Sequence, residues 1–385
     1  MGHPLLAPTS VVFSRCEDFR IFFAVLLASF LQMPCLQGEY GAGCGKFTTA
    51  EFCRNSSSLV IASPSAALYR YYLANFSHNP THQEQTIESP LEFSGVGLHS
   101  GAPVTMRLLP APAGSGIVFR RTDLDNFEIP ATGRNVAKVS YATSLMRQGV
   151  LISTTEHLLS ALIGMGVDNV IVELDNLELP ILDGSAKPYV EAFLAAGIKV
   201  QRRRREYIRV LRPVEVREGE KFIGVYPGDG YSITYEIDFP KPIGHDSFSV
   251  DLETETYGAE IAAARTFGYK ADEQKLRDMG LIRGAGPENA IILTPRGPEN
   301  GPLRFADEYV RHKVLDLIGD LALAGKRIQG KVVAMRAGHA MHTALVSRLI
   351  KDRSAWELAY APVAAKAAVE TPVAVGIGNP ALVGA

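Results

Sequence analysis

Beyond Cys53 the 385-residue chain has no cysteine; its four, Cys16, Cys35, Cys44 and Cys53, all fall in the first stretch. The rest therefore has neither a disulfide framework nor a thiolate metal site, and any metal there must take His and carboxylate ligands. A long apolar run is also missing. RIFFAVLLASFLQMPC is short of the about 20 residues that a bilayer helix needs. As the h-region of a signal it fits poorly, since SRCEDFR before it carries two acids and no clean small-x-small cleavage site follows. For residues 1–82 a targeting leader, an extension without fixed structure and a misassigned start codon stay open. Charge of one sign is lacking too: a net charge of -2 gives no global reason to expect nucleic acid or an anionic membrane as partner. The local exception, Arg202 to Arg205 in QRRRRE, reads as a solvated interdomain linker. H-E-x-x-H is absent, which excludes the commonest zinc-protease arrangement.

What is present is an ordinary globular composition, 46% apolar and 21% charged, long enough for two or three domains. From Thr86 the chain gives short β-branched runs between Gly and Pro turns, and then helices, twice over. The first pass ends in helix STTEHLLSALIGMG, strand VDNVIVEL and helix SAKPYVEAFLAAG. The second has strand candidates EYIRVLRPVEV, EKFIGVYPGDG and YSITYEIDF, then helix EYVRHKVLDLIGDLALAG, strand GKVVAMRA and helix AMHTALVSRLI. The fold class expected is α+β: two domains of similar plan, residues 84–202 and 206–357, each a sheet packed against helices, followed by a flexible tail over 362–385. The likeness between halves is one of pattern, without evident residue identity. It places the helices around His157 and His312 in equivalent positions, able to face each other across the domain junction, where ligand sites are favoured.

The second of those helices carries an unusual polar face. Val314, Leu317, Ile318, Leu321 and Ala322 form its core stripe, while His312, Asp316 and Asp320 stand opposite, where a solvated face would carry Lys and Glu. His312 and Asp316, at i and i+4, can supply two ligands of a catalytic zinc, which usually takes three from the protein. The plainer alternative is an exposed His and Asp pair. In STTEHLL, Ser153 and Glu156 fit a capping box, yet Glu156 also adjoins His157, and a carboxylate beside a ligand His suits metal-assisted hydrolysis. His339, at a strand-to-helix junction in AMRAGHAMHT, is either a satisfied turn histidine or an acid for a leaving amine, held charged by Asp320. His99 and His342 are weaker candidates.

GVGLHSG, RRTDL, STTEHLLSAL, ILDGSA, ARTFG, DEYVRHKVLDLIGDL and GHAMH, in this order, closely resemble the zinc-dependent UDP-3-O-acyl-N-acetylglucosamine deacetylases (LpxC type) of lipid A biosynthesis, over about Thr86 to Leu349. The resemblance implies two domains of one α+β topology with the active site between them, and removal of an N-acetyl group from a UDP-glucosamine carrying a 3-O-acyl chain. It makes His157, His312 and Asp316 the Zn2+ ligands, Glu156 the general base, His339 the acid and Asp320 the residue that orients and charges it. Thr266 and Lys313 would hydrogen-bond the oxyanion. Lys221, Asp238, Phe239 and Arg336 would hold the nucleotide, and His99 and Phe267 would lie against the substrate.

The acyl passage is implied in an insert over about 266–293, with Leu276, Met279, Leu281, Ile282, Ile291 and Ile292 as lining. Lys270 and Glu273 are polar where that family is apolar. The expected partner is the UDP-linked acylated glucosamine, with no nucleic acid and no stable membrane insertion of the core, for a monomer in the bacterial cytoplasm. A plant organelle is the alternative if the extension is a transit segment. Two rival readings are a noncatalytic sugar-nucleotide or acyl-lipid binding protein on the same fold, and a metal deacylase acting on the free sugar.

Overall fold

The computed structural model describes residues 82–137 and 141–360. The four cysteines, the apolar N-terminal stretch and the tail over 362–385 lie outside them.

The first half begins with β1 (Gln83–Ile87), β2 (Leu91–Val96), β3 (Pro103–Pro110), β4 (Ile117–Arg121) and β5 (Phe127–Pro130). A hairpin, β6 (Leu145–Arg147) and β7 (Val150–Ile152), leads into helix α1 (Glu156–Gly164). Then come β8 (Val170–Leu174), α2 (Lys187–Ala196) and β9 (Ile198–Arg204). The sheet order is β2-β3-β8-β4-β5, with β8 antiparallel to β3 and parallel to β4. Alternation sets its inner face: Val104, Met106 and Leu108 of β3 and Val170, Val172 and Leu174 of β8 are all buried.

The second half has β10 (Glu206–Val210), β11 (Val214–Glu218), β12 (Lys221–Tyr226), β13 (Tyr231–Phe239) and β14 (Gly244–Asp251). An insert follows, with β15 (Phe267–Tyr269), α3 (Glu273–Asp278), β16 (Ile291–Thr294) and β17 (Gly297–Pro298). It ends with α4 (Glu308–Leu321), β18 (Arg327–Met335), α5 (His339–Lys351) and β19 (Trp356–Tyr360). Here β18 pairs antiparallel with β12 and parallel with β13, so β11-β12-β18-β13-β14 repeats the order and directions of the first sheet. The likeness of pattern in the sequence is thus a duplicated topology of α+β halves.

The halves meet through α1 and α4, which pack on each other. Every residue of α1 is buried, and in α4 all but Arg311 and Lys313 are. Leu158, Leu159 and Leu162 of α1 reach 0% exposure, each contributing about 1.5–3 kcal/mol by leaving water. The close crossing needs a glycine: a Cβ on Gly319 would stand 2.0 Å from the Glu156 carbonyl oxygen. Among the described residues no helix is long and apolar enough to cross a membrane.

Three expectations change. The Arg run is no solvated linker: Arg202 to Arg204 complete β9, which pairs with β1, and Arg205 is buried against Asp168, with Nη2 to Oδ2 at 2.7 Å. Three of the four cations lie exposed at the end of the strand, and the last, just past it, turns inward to an acid. EYIRVLRPVEV is two strands rather than one, since Pro213 lacks a ladder donor and the chain turns there, with Leu211 N–H bonded to the Ala355 carbonyl. Of the six residues named for the acyl passage, Ile291 belongs to the core and Met279 is 53% exposed, while Leu276, Leu281, Ile282 and Ile292 are half-buried. Lys270 is paired with Glu273 at 3.1 Å.

Candidate active site

The hairpin delivers Glu156 to the junction by an irregular route. Thr154 takes a positive φ of 59°, held as its hydroxyl donates to Glu178 Oε1 at 2.8 Å, and the helix starts at Glu156 itself. The capping box therefore does not form. Ser153 Oγ lies instead 2.9 Å from Ser144 Oγ, and Glu156, buried at the first helical position, accepts the Thr143 N–H at 3.1 Å through Oε2. Burial raises the Glu156 pKa, against the pull of His339 and His157.

His157, next along α1, meets α4. Its Nε2 is 3.6 Å from Asp316 Oδ1, and His312 Nε2 is 3.4 Å from the same oxygen. The two rings cross edge to face, with centroids 5.1 Å apart. His312 Nδ1 donates to the Ala264 carbonyl at 3.0 Å, which leaves the Nε2 lone pair turned toward Asp316. Burial drives the His312 pKa down to about 3 despite the Asp316 charge, so this ring is neutral, as a ligand must be. Asp316 Oδ1 is buried without any hydrogen-bond donor, while Oδ2 accepts Lys313 Nζ at 2.7 Å. Ligands on a tetrahedral zinc, with bonds of about 2.0–2.1 Å, stand about 3.3 Å apart. The two imidazole nitrogens and the orphaned Asp316 oxygen fit such an ion. An exposed His and Asp pair is excluded, since His312 and Asp316 are each 2% exposed.

One turn further along α4, fully buried Asp320 faces α5. Its Oδ2 accepts His339 Nδ1–H at 2.7 Å and His342 Nδ1–H at 2.8 Å, and its Oδ1 accepts the Thr143 hydroxyl. His342 Nε2 in turn lies 3.1 Å from the Tyr235 hydroxyl, which donates to the Ala337 carbonyl at 2.7 Å. Both imidazoles thus spend Nδ1 on the carboxylate. Burial disfavours the charge on His339, but Asp320 and Asp316 outweigh it and raise its pKa to about 9. His339 Nε2 lies 3.8 Å from Glu156 Oε1 and 3.9 Å from Asp316 Oδ2, so an imidazole, a buried carboxylate and the candidate metal-binding group face one space.

The remaining positions surround that space unevenly. Thr266 is pinned by its backbone, its N–H donating to the Gly184 carbonyl and its carbonyl accepting from Ile291 N, both at 2.8 Å. This explains the ILDGSA turn: Gly184 has φ 82°, and a Cβ there would sit 2.0 Å from the Asn289 carbonyl oxygen. Phe267 stands 6.1 Å from the His312 ring and 5.6 Å from Phe239, giving the site an aromatic wall, with Lys313 Nζ over Phe267. The His99 loop is tied by Glu178, which accepts the His99 N–H at 2.9 Å and the Ser100 N–H at 2.7 Å. Both His99 ring nitrogens are buried without a hydrogen-bond partner; burial lowers its pKa and nearby His339 lowers it further, against Glu178. Lys221 shares with Tyr141, Glu218 and Gly338–Met341 a cavity of about 180 Å³ that includes His339. Arg336 and Asp238 are brought together, but as an ion pair with each other; Arg336 also holds Glu220 at 2.6 Å.

Thr143 and Tyr235 were not among the residues picked from sequence, and His342 only as a weaker candidate without a role. His342 had a readable signal, lying three residues beyond His339 on the same helix face. Thr143 sits between strands and had none.

In this duplicated α+β scaffold each half lends a helix to one buried site, where His157, His312 and Asp316 could hold a metal ion beside a buried carboxylate and an imidazole, the side-chain set of a candidate metal-dependent hydrolase. The family is more definite. Residues 84–351 match the family model described as UDP-3-O-acyl N-acetylglycosamine deacetylase (LpxC), and the chain belongs to that family. It is 55% identical over 276 residues to the UDP-3-O-acyl-N-acetylglucosamine deacetylase of Solibacter usitatus, covering 71% of this chain and 94% of that one. The proteins of the same name from Anaeromyxobacter dehalogenans and Xanthomonas campestris pv. campestris are 45% and 44% identical, over 71% of this chain and 89% and 92% of theirs.

Proposed function

We propose that this protein is a zinc-dependent amidohydrolase that removes the N-acetyl group of a UDP-3-O-acyl-N-acetylglucosamine, releasing acetate, in lipid A biosynthesis. The observation that carries the reading is the convergence of Glu156 and His339 on the donor set His157, His312 and Asp316, where Asp316 Oδ1 is buried and unsatisfied. Those three would hold a zinc ion, which would supply a Lewis acid to polarise a carbonyl and lower the pKa of water to about 7.

Glu156, its basicity raised by burial, takes the proton of the attacking water. His339, charged by Asp320, gives a proton to the departing amine. Lys313 and Thr266 donate to the oxygen that gains charge. Lys221 and Arg336 meet the diphosphate, Phe239 and Asp238 the uridine, and His99 and Phe267 the sugar side of the cleft. The half-buried apolar residues of the insert face the acyl chain, with Arg283 N–H and Gly284 N–H bonding the His99 and Leu98 carbonyls to fasten the insert to the His99 loop. We place the reaction in the bacterial cytoplasm.

The test is acetate release from the UDP-linked substrate by purified protein, with and without chelator and after zinc is restored. Chelator-sensitive release that zinc restores is expected. Release indifferent to chelation, or faster with the free acylated sugar than with its UDP conjugate, would overturn the zinc or the nucleotide part respectively.

A further inference from the structure

Thr143 is fully buried and engaged through three separate groups. Its N–H donates to Glu156 Oε2 at 3.1 Å, its carbonyl accepts the Thr155 hydroxyl at 3.1 Å, and its own hydroxyl donates to Asp320 Oδ1. The hydroxyl oxygen also lies 3.3 Å from His339 Nδ1. One residue of the first half therefore touches both carboxylates that flank the site: one at the start of α1, the other on α4 in the second half.

We infer that Thr143 is a positioning residue that sets Asp320, and through it His339, in register with Glu156. The assignment rests on the roles proposed above for Glu156 and His339. Asp320 has two oxygens with different duties. Oδ2 takes both imidazoles, whereas Oδ1 has the Thr143 hydroxyl as its hydrogen-bond donor among the described residues. A buried carboxylate oxygen stripped of its donor is costly to leave as it is, and rotation of the carboxylate toward another donor would carry His339 with it. His339 Nε2 stands only 3.8 Å from Glu156 Oε1, so a small swing changes where the acid points relative to the base. The amide of Thr143 meanwhile keeps Glu156 in place, which makes the two contacts separable by mutation: a side-chain change removes one and spares the other.

The experiment compares Thr143→Val, Thr143→Ser, Asp320→Asn and the double variant Thr143→Val/Asp320→Asn in steady-state acetate release, with Glu156→Gln as reference. Thr143→Val, nearly isosteric but without a donor, is expected to lower kcat about 10- to 100-fold, the range for a hydrogen bond to a charged group, while KM stays within about twofold. Thr143→Ser, which restores the donor, should recover most of kcat. In the double variant Thr143→Val should add little to the loss caused by Asp320→Asn alone, because the hydroxyl acts through that carboxylate. If valine prevents folding, Thr143→Ala makes the same comparison. Retained kcat in the donor-less variant, failure of serine to restore it, or losses that multiply in the double variant would overturn the assignment. Near-normal turnover in Glu156→Gln would instead overturn the proposed mechanism. Collapse of Glu156→Gln beside an active Thr143→Val would remove only the role of Thr143.

Discussion

Gly319→Ala tests whether the site depends on how closely α1 and α4 cross. A methyl group there would lie 2.0 Å from the Glu156 carbonyl oxygen, 2.7 Å from its carbonyl carbon and 2.9 Å from its Cα, all backbone atoms that no rotamer change can clear. Ordinary contact begins at 3.4 Å, so the helices must part by more than an ångström or tilt. Overpacking of this kind costs about 1–3 kcal/mol, which at about 2–4 °C per kcal/mol lowers Tm by roughly 2–12 °C. The functional loss should be larger than the stability loss suggests. Glu156 and His157 ride on α1, whereas His312, Asp316 and Asp320 ride on α4, so the same displacement pulls the donor set apart. A misplacement of about 1 Å can cost about 100-fold in rate. The assay is turnover and bound metal per chain, with Tm alongside. Gly230→Ala serves as control, because a Cβ there meets nothing within 4 Å. If Gly319→Ala bound metal fully and turned over within twofold of the parent, the claim that the crossing distance sets the site would fail.

Other expectations follow from the same geometry. Glu156→Gln should lower kcat about 10²- to 10⁴-fold while metal stays bound, measured by metal analysis and acetate release; loss of metal instead would make Glu156 a ligand. The rate should follow a bell in pH, with an acid limb above 4.5 for Glu156 and an alkaline limb near pH 9 for His339. Because the folded His339 pKa lies above its ordinary 6.5, the His339–Asp320 pair stabilises fully below pH 6.5 and fades as pH rises through about 9. Asp320→Asn should draw the alkaline limb toward 6.5, and an unmoved limb would assign it to another group. Asp168→Ala leaves the Arg205 and Arg327 guanidiniums, now 2.7 and 3.4 Å from that carboxylate, without their shared partner. A loss of about 3–5 kcal/mol is expected in denaturant unfolding, and less than about 1 kcal/mol would mean that water or a neighbour replaces it.

Much of this arrangement was readable because helices print their faces at a fixed period. Three short acceptors at four-residue spacing, opposite an apolar stripe, marked α4, and its burial explains why Lys and Glu are missing from that face. The order helix, strand, helix, seen twice, foretold the duplicated sheets. What stayed hidden depends on contacts between residues far apart in the chain. Thr143 and Asp320 are 177 residues apart, and no local pattern links them. The Ser153 and Glu156 spacing misled because the positive φ at Thr154 moved the helix start by two residues. The arginine run misled because its composition suits a solvated segment, whereas pairing with β1 makes Arg202 to Arg204 an exposed strand end and Asp168 draws Arg205 inward. Ile291 read as tunnel lining, but alternation along β16 sends Ile291 and Leu293 into the core and leaves Ile292 half-buried.

The sheet repeat has one more consequence. Since neither half holds all three of the proposed ligands, an ion bound by them would act as a rivet across the seam, its grip adding to the cohesion of the two halves by mass action. Stripping it out should loosen their embrace before either sheet melts, so thermal unfolding of chelated protein would split into two steps while the loaded protein melts as one.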